Sequence, residues 1–417
     1  MKVYLDNSAS TQVSPEAAKA VYIAMTETFA NPSALHTAGQ DAERLVKQAR
    51  SQIAFSLGTK AGNIIFTSGG TESVNLALFS AFYKCGQGKT AADKGALLIS
   101  EIEHPATLSA AEELSKRGVR VEKIPVHKAD TEWRGLVDVS AFRELLSKDV
   151  ALVSVMHVNN ETGTIQPIDE LSRLVALYNS ENGTQIKFHT DAVQSYGKIA
   201  IDVSDGEFAR VDLLSMSAHK LHGPKGVGAL YAAAPEKLHP MVFGGGQEDG
   251  VRSGTENVPG IVGFGVCARV ASQDIVGHAK MANTCRRRLL EGIMAEIEDV
   301  RFNSPEDGSV TGKPGCSSPY ILNVSFLGTK GEVVVHELEK SGIFVSTGSA
   351  CSSLGKDGPK GSGTLAAIGL SDDAAEGALR FSFSWDNKPE EIDFVVDRLK
   401  NAVARFRRVG SYGSGIR

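Results

Sequence analysis

The stretch SAHKLHGPKG at 217–226 places two lysines and two histidines directly after the apolar run VDLLSM. A short apolar run bounded by polar residues predicts a buried strand, so these ionisable groups would lie where the strand ends. Lys220 follows the strand directly, whereas Lys225 lies beyond the Gly223-Pro224 turn. We therefore predict that Lys220 is the reactive amine and that Lys225 is a solvated or structural lysine.

Three further apolar runs also end in polar residues. His104 follows ALLIS, Asn159 follows ALVSVMHV, and Asp191 and Gln194 follow KFHT. Each motif alone is also typical of an ordinary cap or turn. In a parallel α/β sheet, however, ligands bind beyond the carboxyl ends of the strands. The motifs together therefore predict that an imidazole, two amides and a carboxylate meet the amine at one rim of the sheet.

A glycine-rich segment follows another apolar run, NIIF. In TSGGTES at 67–73, Gly70 and Thr71 would open a helix whose backbone N–H groups and positive end favour an anion. Taken alone, a structural turn is the simpler interpretation of this segment. Ser217 and His219 are close enough in sequence to Lys220 to share the anion or lie near a ring.

These groups form a set that one cofactor requires. A pyridoxal phosphate (PLP) site needs a phosphate cup, a lysine for the Schiff base, a carboxylate opposite the pyridine nitrogen and a flat group against the ring. The segment 67–73 would form the phosphate cup, and Lys220 would form the Schiff base. Asp191 would be the carboxylate, and His104 would be the flat group. The sequence therefore predicts a PLP site, with no metal.

Cys351 lies in a second glycine-rich region, about 348–363. So many small residues predict a mobile, exposed loop that can reach into a site and swing out again. Lys356 and Lys360 would favour the thiolate, the nucleophilic form of the cysteine. The alternative is a surface thiol without a role. The other four cysteines are scattered without CxxC spacing, so we predict neither a disulfide framework nor a zinc site.

The elements that must position these groups follow from the apolar periodicity. Apolar runs of strand length alternate with helical stretches, which predicts an α/β fold with a mostly parallel central sheet flanked by helices. Residues 39–58 form one amphipathic helix that ends at Gly58. The predicted strand and helix pairs are NIIFTS with TESVNLALFSAFY, ALLIS with ATLSAAEELSKRG, and ALVSVMHV with IDELSRLVALYN, and further strands are QIKFHT, VDLLSM and VGALYAA.

The C-terminal part predicts a smaller α+β domain. The glycine-rich segment 244–257 is interpreted as the hinge region, and Pro259 is well placed to open a long helix. We predict a large cofactor-binding domain at 13–260 and a small domain made of 1–12 with 261–417, which carries the cysteine loop. Its predicted elements are YILNVSF, EVVVHELEKSG, FVSTGSA, ALRFSFS and EIDFVVDRLKNAVARF.

Composition excludes several classes of function. The chain has 417 residues, with 49 Asp and Glu against 44 Lys and Arg, so it has no broad basic surface for a nucleic acid. No stretch approaches the roughly 18 apolar residues that cross a bilayer, and the N-terminus lacks an apolar signal core. We therefore expect a cytoplasmic protein with neither a nucleic-acid nor a membrane partner.

Longer motifs show a family resemblance over almost the whole chain. The chain resembles the cysteine desulfurases of the class V aminotransferase family, which implies the fold-type I architecture of PLP-dependent transferases and a homodimer. The motifs that carry the resemblance are, in order, YLDNSAST, NPSALH, FTSGGTES, EHPATL, NNETGTIQP, DAVQSYGK, SAHKLHGPKGVGALY, GGGQEDGVRSGTEN, LNVSF and GSACSS.

The resemblance implies roles for the cofactor-binding residues. Lys220 matches the Schiff-base lysine, and Asp191 matches the partner of the pyridine nitrogen. His104 matches the histidine that stacks on the ring, which is also a candidate proton shuttle, and Gln194 matches the residue near the phenolic oxygen. The remaining matches are phosphate ligands, with the last supplied by the second subunit: Thr71, Ser217, His219 and Thr255.

The resemblance also implies a reaction. Asn31, Asn159 and Arg380 match groups that hold the substrate amino acid, and an arginine is suited to a bidentate grip on its carboxylate. Cys351 matches the nucleophile that takes sulfur as a persulfide. L-Cysteine would then become L-alanine, and the sulfur would pass to an acceptor or iron–sulfur scaffold protein for iron–sulfur cluster or thio-cofactor synthesis.

Two alternatives stay open. One is a selenocysteine lyase, or a related class V lyase or aminotransferase, that does not need Cys351. The other is a non-catalytic scaffold, although such a protein would be expected to lose some of the reactive set Lys220, Asp191, His104 and Cys351. The stretch between Cys351 and TLAAIGL is longer than the family pattern, and NSAST also varies from it, which leaves the acceptor and the rate of transfer open.

Overall fold

The computed structural model of the chain describes residues 1–83, 95–347 and 363–413, with side chains as far as residue 408. Cys351 and most of its loop therefore lie outside the described residues. The strands are β1 (Val3–Tyr4), β2 (Ile64–Thr67), β3 (Ala96–Ser100), β4 (Arg120–Ile124), β5 (Val150–Ser154), β6 (Lys187–Asp191), β7 (Leu213–Ser217), β8 (Gly228–Ala232), β9 (Val300–Phe302), β10 (Ile321–Phe326), β11 (Ile343–Phe344) and β12 (Ala378–Ser382).

Helices separate most of these strands. They are α1 (Pro15–Thr26), α2 (Thr37–Ser56), α3 (Gly70–Ala81), α4 (Pro105–Lys116), α5 (Val139–Leu145), α6 (Ile168–Asn182), α7 (Val258–Gln273), α8 (Ile275–Glu296), α9 (Gly331–Lys340), α10 (Gly363–Ala367), α11 (Asp372–Glu376) and α12 (Pro389–Gly413). Among the described helices, none is both long and apolar enough to cross a membrane.

Seven strands form the central sheet, in the order β2-β8-β7-β6-β5-β3-β4. Only β8 runs antiparallel to its neighbours β2 and β7, and the other adjacent pairs in this sheet are parallel. The prediction of a mostly parallel sheet is therefore confirmed. Because β6 and β7 are parallel neighbours, with Asp191 paired to Ser215, their carboxyl ends meet at one edge.

Helices cover both faces of this sheet. Strands β3 and β7 are buried along their whole length, as expected for parallel strands with two covered faces. One hydrophobic cluster contains residues of α1, α2 and α7, and a separate one contains residues of α3 and α4. The predicted helix at 39–58 corresponds to α2, which buries Ala42, Val46, Ala49 and Ile53 along one face.

A second group of elements builds its own core. Strands β12, β10 and β9 form an antiparallel sheet, and β1 pairs with β11 in parallel. Their hydrophobic cluster includes Leu5, Leu289, Phe326 and Leu399, so the N-terminal strand packs with the C-terminal part of the chain. The predicted grouping of residues 1–12 with 261–417, and its boundary at 260, stays a prediction.

The predicted hinge segment 244–257 is anchored by ion pairs. Arg50 of α2 donates two hydrogen bonds of 2.6 Å to the Glu248 carboxylate, which also accepts from the N–H of Phe66. Arg252 pairs in the same way with Glu72 of α3. The segment is thereby fixed to α2, β2 and α3.

Several elements differ from the prediction. Among the described residues 344–347 of the predicted strand FVSTGSA, Phe344 alone belongs to a strand, β11, which pairs with β1. Strand β4 is not among the predicted elements, because its sequence RVEKI carries charged residues, which are favoured at the edge of a sheet. The other elements that were not predicted are β1, α1, α5, α8, β9, α10 and α11.

Candidate active site

A cavity of about 350 Å³ lies at the carboxyl ends of β6 and β7. This volume is typical of a small-molecule site. Nine of the predicted site residues line the cavity: Gly70, Thr71, His104, Asp191, Gln194, Ser217, His219, Lys220 and Arg380. The structure therefore brings together residues that lie more than 300 positions apart in sequence.

Lys220 lies in a single helical turn that follows β7 directly. Its Nζ donates to the backbone carbonyl of Ser8 at 2.6 Å and to that of Ala9 at 2.8 Å. Thr11 N–H donates to the carbonyl of His219 at 2.9 Å, which ties the same turn to the N-terminal segment. The amine is thus held at the cavity by a segment that lies far away in sequence.

Asp191 is the last residue of β6 and is buried. Its Oδ1 accepts a hydrogen bond of 2.9 Å from the N–H of Val193. Burial raises the pKa of this carboxyl to about 6, although the Val193 hydrogen bond and the charge of Lys220 oppose the rise. A cationic nitrogen placed opposite the carboxylate would stabilise its ionised form.

His104 is the N-cap of α4, and its Nδ1 accepts from the N–H of Ala106 at 3.1 Å. This hydrogen bond fixes the ring and leaves the proton of the neutral imidazole on Nε2. Burial, with a further contribution from the charge of Lys220, lowers the pKa of His104 to about 4. The ring is therefore a neutral, flat group in the wall of the cavity at pH 7.

The anion cradle predicted at 67–73 opens α3 at Gly70. A Cβ at Gly70 would lie 2.6 Å from Cγ2 of Val193, so only glycine fits between the helix start and the Asp191 turn. Ser217 and His219 face the same cavity. Burial lowers the pKa of His219 to about 4, with smaller contributions from the charges of Lys220, Lys225 and Lys198. This ring is therefore neutral as well.

Arg380 enters the cavity from β12 of the C-terminal sheet. Its Nη2 pairs with Oδ1 of Asp6 at 2.9 Å, and its Nη1 donates to the carbonyl of Asn160 at 3.0 Å. The guanidinium is buried and held in one orientation by these two contacts. It is positioned to present a fixed cation to an anionic group in the cavity.

Three predicted residues do not line this cavity. Asn159 is fully buried, and its Oδ1 accepts from the N–H groups of Glu161 and Thr162, so its side chain holds the turn together. Its neighbour Asn160 lines the cavity instead. Asn31 and Thr255 lie together in a second, more open pocket. Cys351 lies outside the described residues.

Sequence reasoning overlooked several residues of the cavity and its surroundings. Glu103 lines the cavity with its Oε1 accepting from Ser100 Oγ at 2.5 Å and from the N–H of Met156 at 2.8 Å. Burial raises the pKa of Glu103 to about 8. Its position directly before His104, after a buried strand, was the signal that could have identified it. Lys198, within the motif DAVQSYGK, is likewise buried beside Gln194.

The donor set of the cavity fits PLP. An amine, a buried carboxylate, a neutral imidazole and the N-terminus of a 12-residue helix line one space of suitable volume. Within the described part of the chain, no group of three or more His, Cys, Asp or Glu side chains is placed to hold a metal ion.

Comparisons with known proteins agree with this geometry. Residues 3–395 match the profile of the family described as Aminotransferase class-V. The cysteine desulfurase IscS of Dictyoglomus turgidum is 37% identical over 412 residues, covering 99% of this chain and 97% of that protein. The solved structure of a NifS-like protein has a TM-score of 0.84 at 33% identity and covers 97% of this chain and 100% of its own. The structure of SspA in complex with cysteine has a TM-score of 0.74 at 33% identity, covering 92% of this chain and 99% of its own.

Proposed function

The chain belongs to the class V aminotransferase family, and we propose that it is a PLP-dependent cysteine desulfurase that converts L-cysteine to L-alanine. The observation that carries the proposal is the cavity in which the Lys220 amine and the buried Asp191 carboxylate meet the N-terminus of α3. A relative of 37% identity over nearly the full chain carries the name cysteine desulfurase. The predicted fold-type I architecture agrees with the likeness to a NifS-like structure.

When bound, PLP supplies an aldehyde for amines and an electron-withdrawing ring that stabilises negative charge at the substrate carbons. Lys220 is proposed as the amine that holds the cofactor and then moves the substrate α-proton. Asp191 would pair with the pyridine nitrogen, and His104 would supply a flat group for the ring. The first turn of α3, with Thr71, would hold the phosphate.

Arg380 binds the carboxylate of the substrate in this proposal. Its contacts with Asp6 and Asn160 hold the guanidinium at one wall of the cavity, so the amino acid can enter in only one orientation. The low pKa of His104, about 4, leaves its neutral ring without a charge that would repel the ammonium group of the substrate. The apolar side chains of Met156 and Val158 also line the cavity.

Cys351 is proposed as the sulfur acceptor. Its thiolate forms an S–S bond with the substrate sulfur while the carbon–sulfur bond breaks. The electron pair of that bond stays on the β-carbon, which takes a proton to give alanine. The product on the protein is a Cys351 persulfide, which then passes its sulfur to an acceptor or iron–sulfur scaffold protein.

A homodimer is also part of the proposal. Four large apolar side chains between positions 22 and 35 are exposed: Tyr22, Met25, Phe29 and Leu35. Met25 and Phe29 line the open pocket that contains Asn31 and Thr255. An apolar patch of this kind is typical of an interface, and a second subunit placed there would cover both residues. Cytoplasmic location stays a prediction of the sequence.

One experiment tests the reaction directly. The purified protein is reconstituted with PLP and incubated with L-cysteine, and Cys351 is then analysed by mass spectrometry while alanine is quantified in the same sample. The proposal expects one added sulfur atom on Cys351 and an equal amount of alanine in the first turnover. A protein that binds PLP but forms neither product would overturn it.

A further inference from the structure

Lys198 is a buried lysine beside the candidate site. It follows Gln194 by four residues in the turn after β6, where Tyr196 N–H bonds to the carbonyl of Ala192 at 2.8 Å and Lys198 N–H to that of Ser195 at 2.9 Å. This turn folds the chain back so that the side chains of Gln194 and Lys198 meet. Lys198 is only 3% exposed.

Few groups around the Lys198 amine stabilise its positive charge. Its Nζ donates to Oε1 of Gln194 at 3.3 Å and lies 5.6 Å from the centre of the Tyr320 ring. Within the described part of the chain, no carboxylate forms an ion pair with it. Burial, with further contributions from the charges of Lys220 and Arg380, lowers the pKa of Lys198 to about 7. Burying an amine in this way is costly, so a packing role alone would be served better by an apolar side chain.

The Lys198 contact restricts the orientation of the Gln194 amide. Its oxygen is held by Lys198, and its Nε2 donates to the carbonyl of Ser8 at 2.9 Å. The Ser8 carbonyl is the same one that accepts from Lys220. With its oxygen turned toward Lys198 and one N–H donated to Ser8, the Gln194 amide keeps its second N–H to offer to the cavity that it lines.

We propose that Lys198 is a positioning residue that fixes the Gln194 amide with its N–H group, and not its oxygen, toward the bound cofactor. The inference rests on the proposed function, because it is an oxygen atom of PLP that would receive this hydrogen bond. A reversed amide would place two oxygen atoms against each other and would weaken binding. Lys198 thus acts on the cofactor through Gln194 and does not touch it.

A double-mutant cycle tests this coupling. Lys198→Met keeps an unbranched apolar stem of similar length but removes the hydrogen-bond donor. Gln194→Leu removes the amide. Lys198→Met should weaken the equilibrium affinity of the apoprotein for PLP by about threefold to tenfold, as expected for loss of one hydrogen bond. In the Gln194→Leu background the same change should alter the affinity by less than about twofold.

Lys187→Met is the matched control. Lys187 lies at the start of β6 and pairs with Asp212 at 2.7 Å, away from the cavity. Its replacement should leave the PLP affinity within about twofold of the wild-type value. Wild-type protein that failed to bind PLP would overturn the proposed function itself. Normal binding by the wild type and Lys187→Met, with equal effects of Lys198→Met in both backgrounds or none in either, would overturn this inference alone.

A second variant guards against misfolding of Lys198→Met. Gln194→Glu places a carboxylate at the atom that Lys198 now contacts, so it gives the buried amine an ionic partner. Its apoprotein should unfold at a higher temperature than the apoprotein that combines Gln194→Glu with Lys198→Met, in which the carboxylate has lost its ionic partner. An unfolding temperature of Gln194→Glu no higher than that of the combined variant would show that the amine does not face residue 194 and would overturn the inference.

Discussion

The Nζ atom of Lys220 lies 2.6 Å from the backbone oxygen of Ser8, a residue 212 positions earlier in the chain. Nε2 of Gln194 donates to the same oxygen at 2.9 Å. The N-terminal segment therefore forms part of the wall of the candidate site, although none of its side chains is among the predicted site residues. This contact holds the Lys220 amine at the wall of the cavity.

The first prediction concerns the covalent link to the cofactor. Lys220→Ala should lose the visible absorption band of the reconstituted protein, because the amine that forms the Schiff base is gone. Lys225→Ala is the control, since Lys225 is exposed beyond the Gly223-Pro224 turn. Absorption spectra of both variants check the prediction. An unchanged band in Lys220→Ala, or loss of the band in Lys225→Ala, would reverse the assignment of the working lysine.

The second prediction concerns Asp191. Asp191→Asn preserves the shape of the side chain and its hydrogen bond from Val193 N–H but removes the charge. The turnover rate with L-cysteine should fall by about a hundredfold or more, which is typical for loss of a preorganised electrostatic partner. Steady-state kinetics measure the rate, and thermal unfolding verifies the fold. A loss of less than about threefold would exclude the proposed pairing with the pyridine nitrogen.

The third prediction concerns substrate binding. Arg380→Lys should raise KM for L-cysteine by about tenfold to a hundredfold, because an ammonium cannot make the bidentate contact of a guanidinium. Asp6→Asn is the comparison: it removes the charge that pairs with Arg380 but keeps an oxygen that can accept the Arg380 hydrogen bond. Measuring KM and kcat of both variants separates the role of Arg380 in substrate binding from its role in the fold. If Asp6→Asn has the larger effect, Arg380 serves the fold more than the substrate.

The fourth prediction concerns pH. The pKa of Glu103 is about 8 in the folded protein, against 4.5 for an ordinary glutamate, because burial disfavours its charge. The folded state therefore holds a proton that the unfolded state loses, and stability falls as pH rises from 4.5 to 8, by at most about 1.4 kcal/mol per pH unit. Glu103→Gln removes this slope.

Urea unfolding of the apoprotein measures the effect. The advantage of Glu103→Gln over the wild type should grow by roughly 3 kcal/mol between pH 5 and pH 8. Glu181→Gln is the control, because Glu181 is exposed on α6 and its replacement should change stability by less than about 0.5 kcal/mol at either pH. Equal pH slopes in wild type and Glu103→Gln would mean that Glu103 is ionised in the fold.

The fifth prediction separates the open alternatives for the reaction. Cys351→Ser should retain PLP and its absorption band but should release no sulfur from L-cysteine to an acceptor, because the nucleophile is missing. The measurement is sulfide and alanine formation with a thiol acceptor present. Undiminished turnover in Cys351→Ser would favour a selenocysteine lyase or a related lyase, in which this cysteine is dispensable.

The sequence by itself determined which residues end the central strands. Apolar runs of strand length marked β6 and β7, and in a parallel sheet the residues after such runs must meet at one edge. Asp191 and Lys220 could therefore be assigned to one site without coordinates. The amphipathic spacing of α2 followed from the same local rule, because one face of a helix must be buried.

Only the tertiary structure decided which distant groups complete the site. Ser8 contacts Lys220 because β1 pairs with β11, which is a long-range pairing that no local pattern encodes. Asn160 and not Asn159 lines the cavity, because the turn uses the Asn159 side chain for its own backbone N–H groups. The burial of Lys198 and its contact with Gln194 could be identified only from the tertiary structure, since hydropathy alone assigns a lysine to the surface.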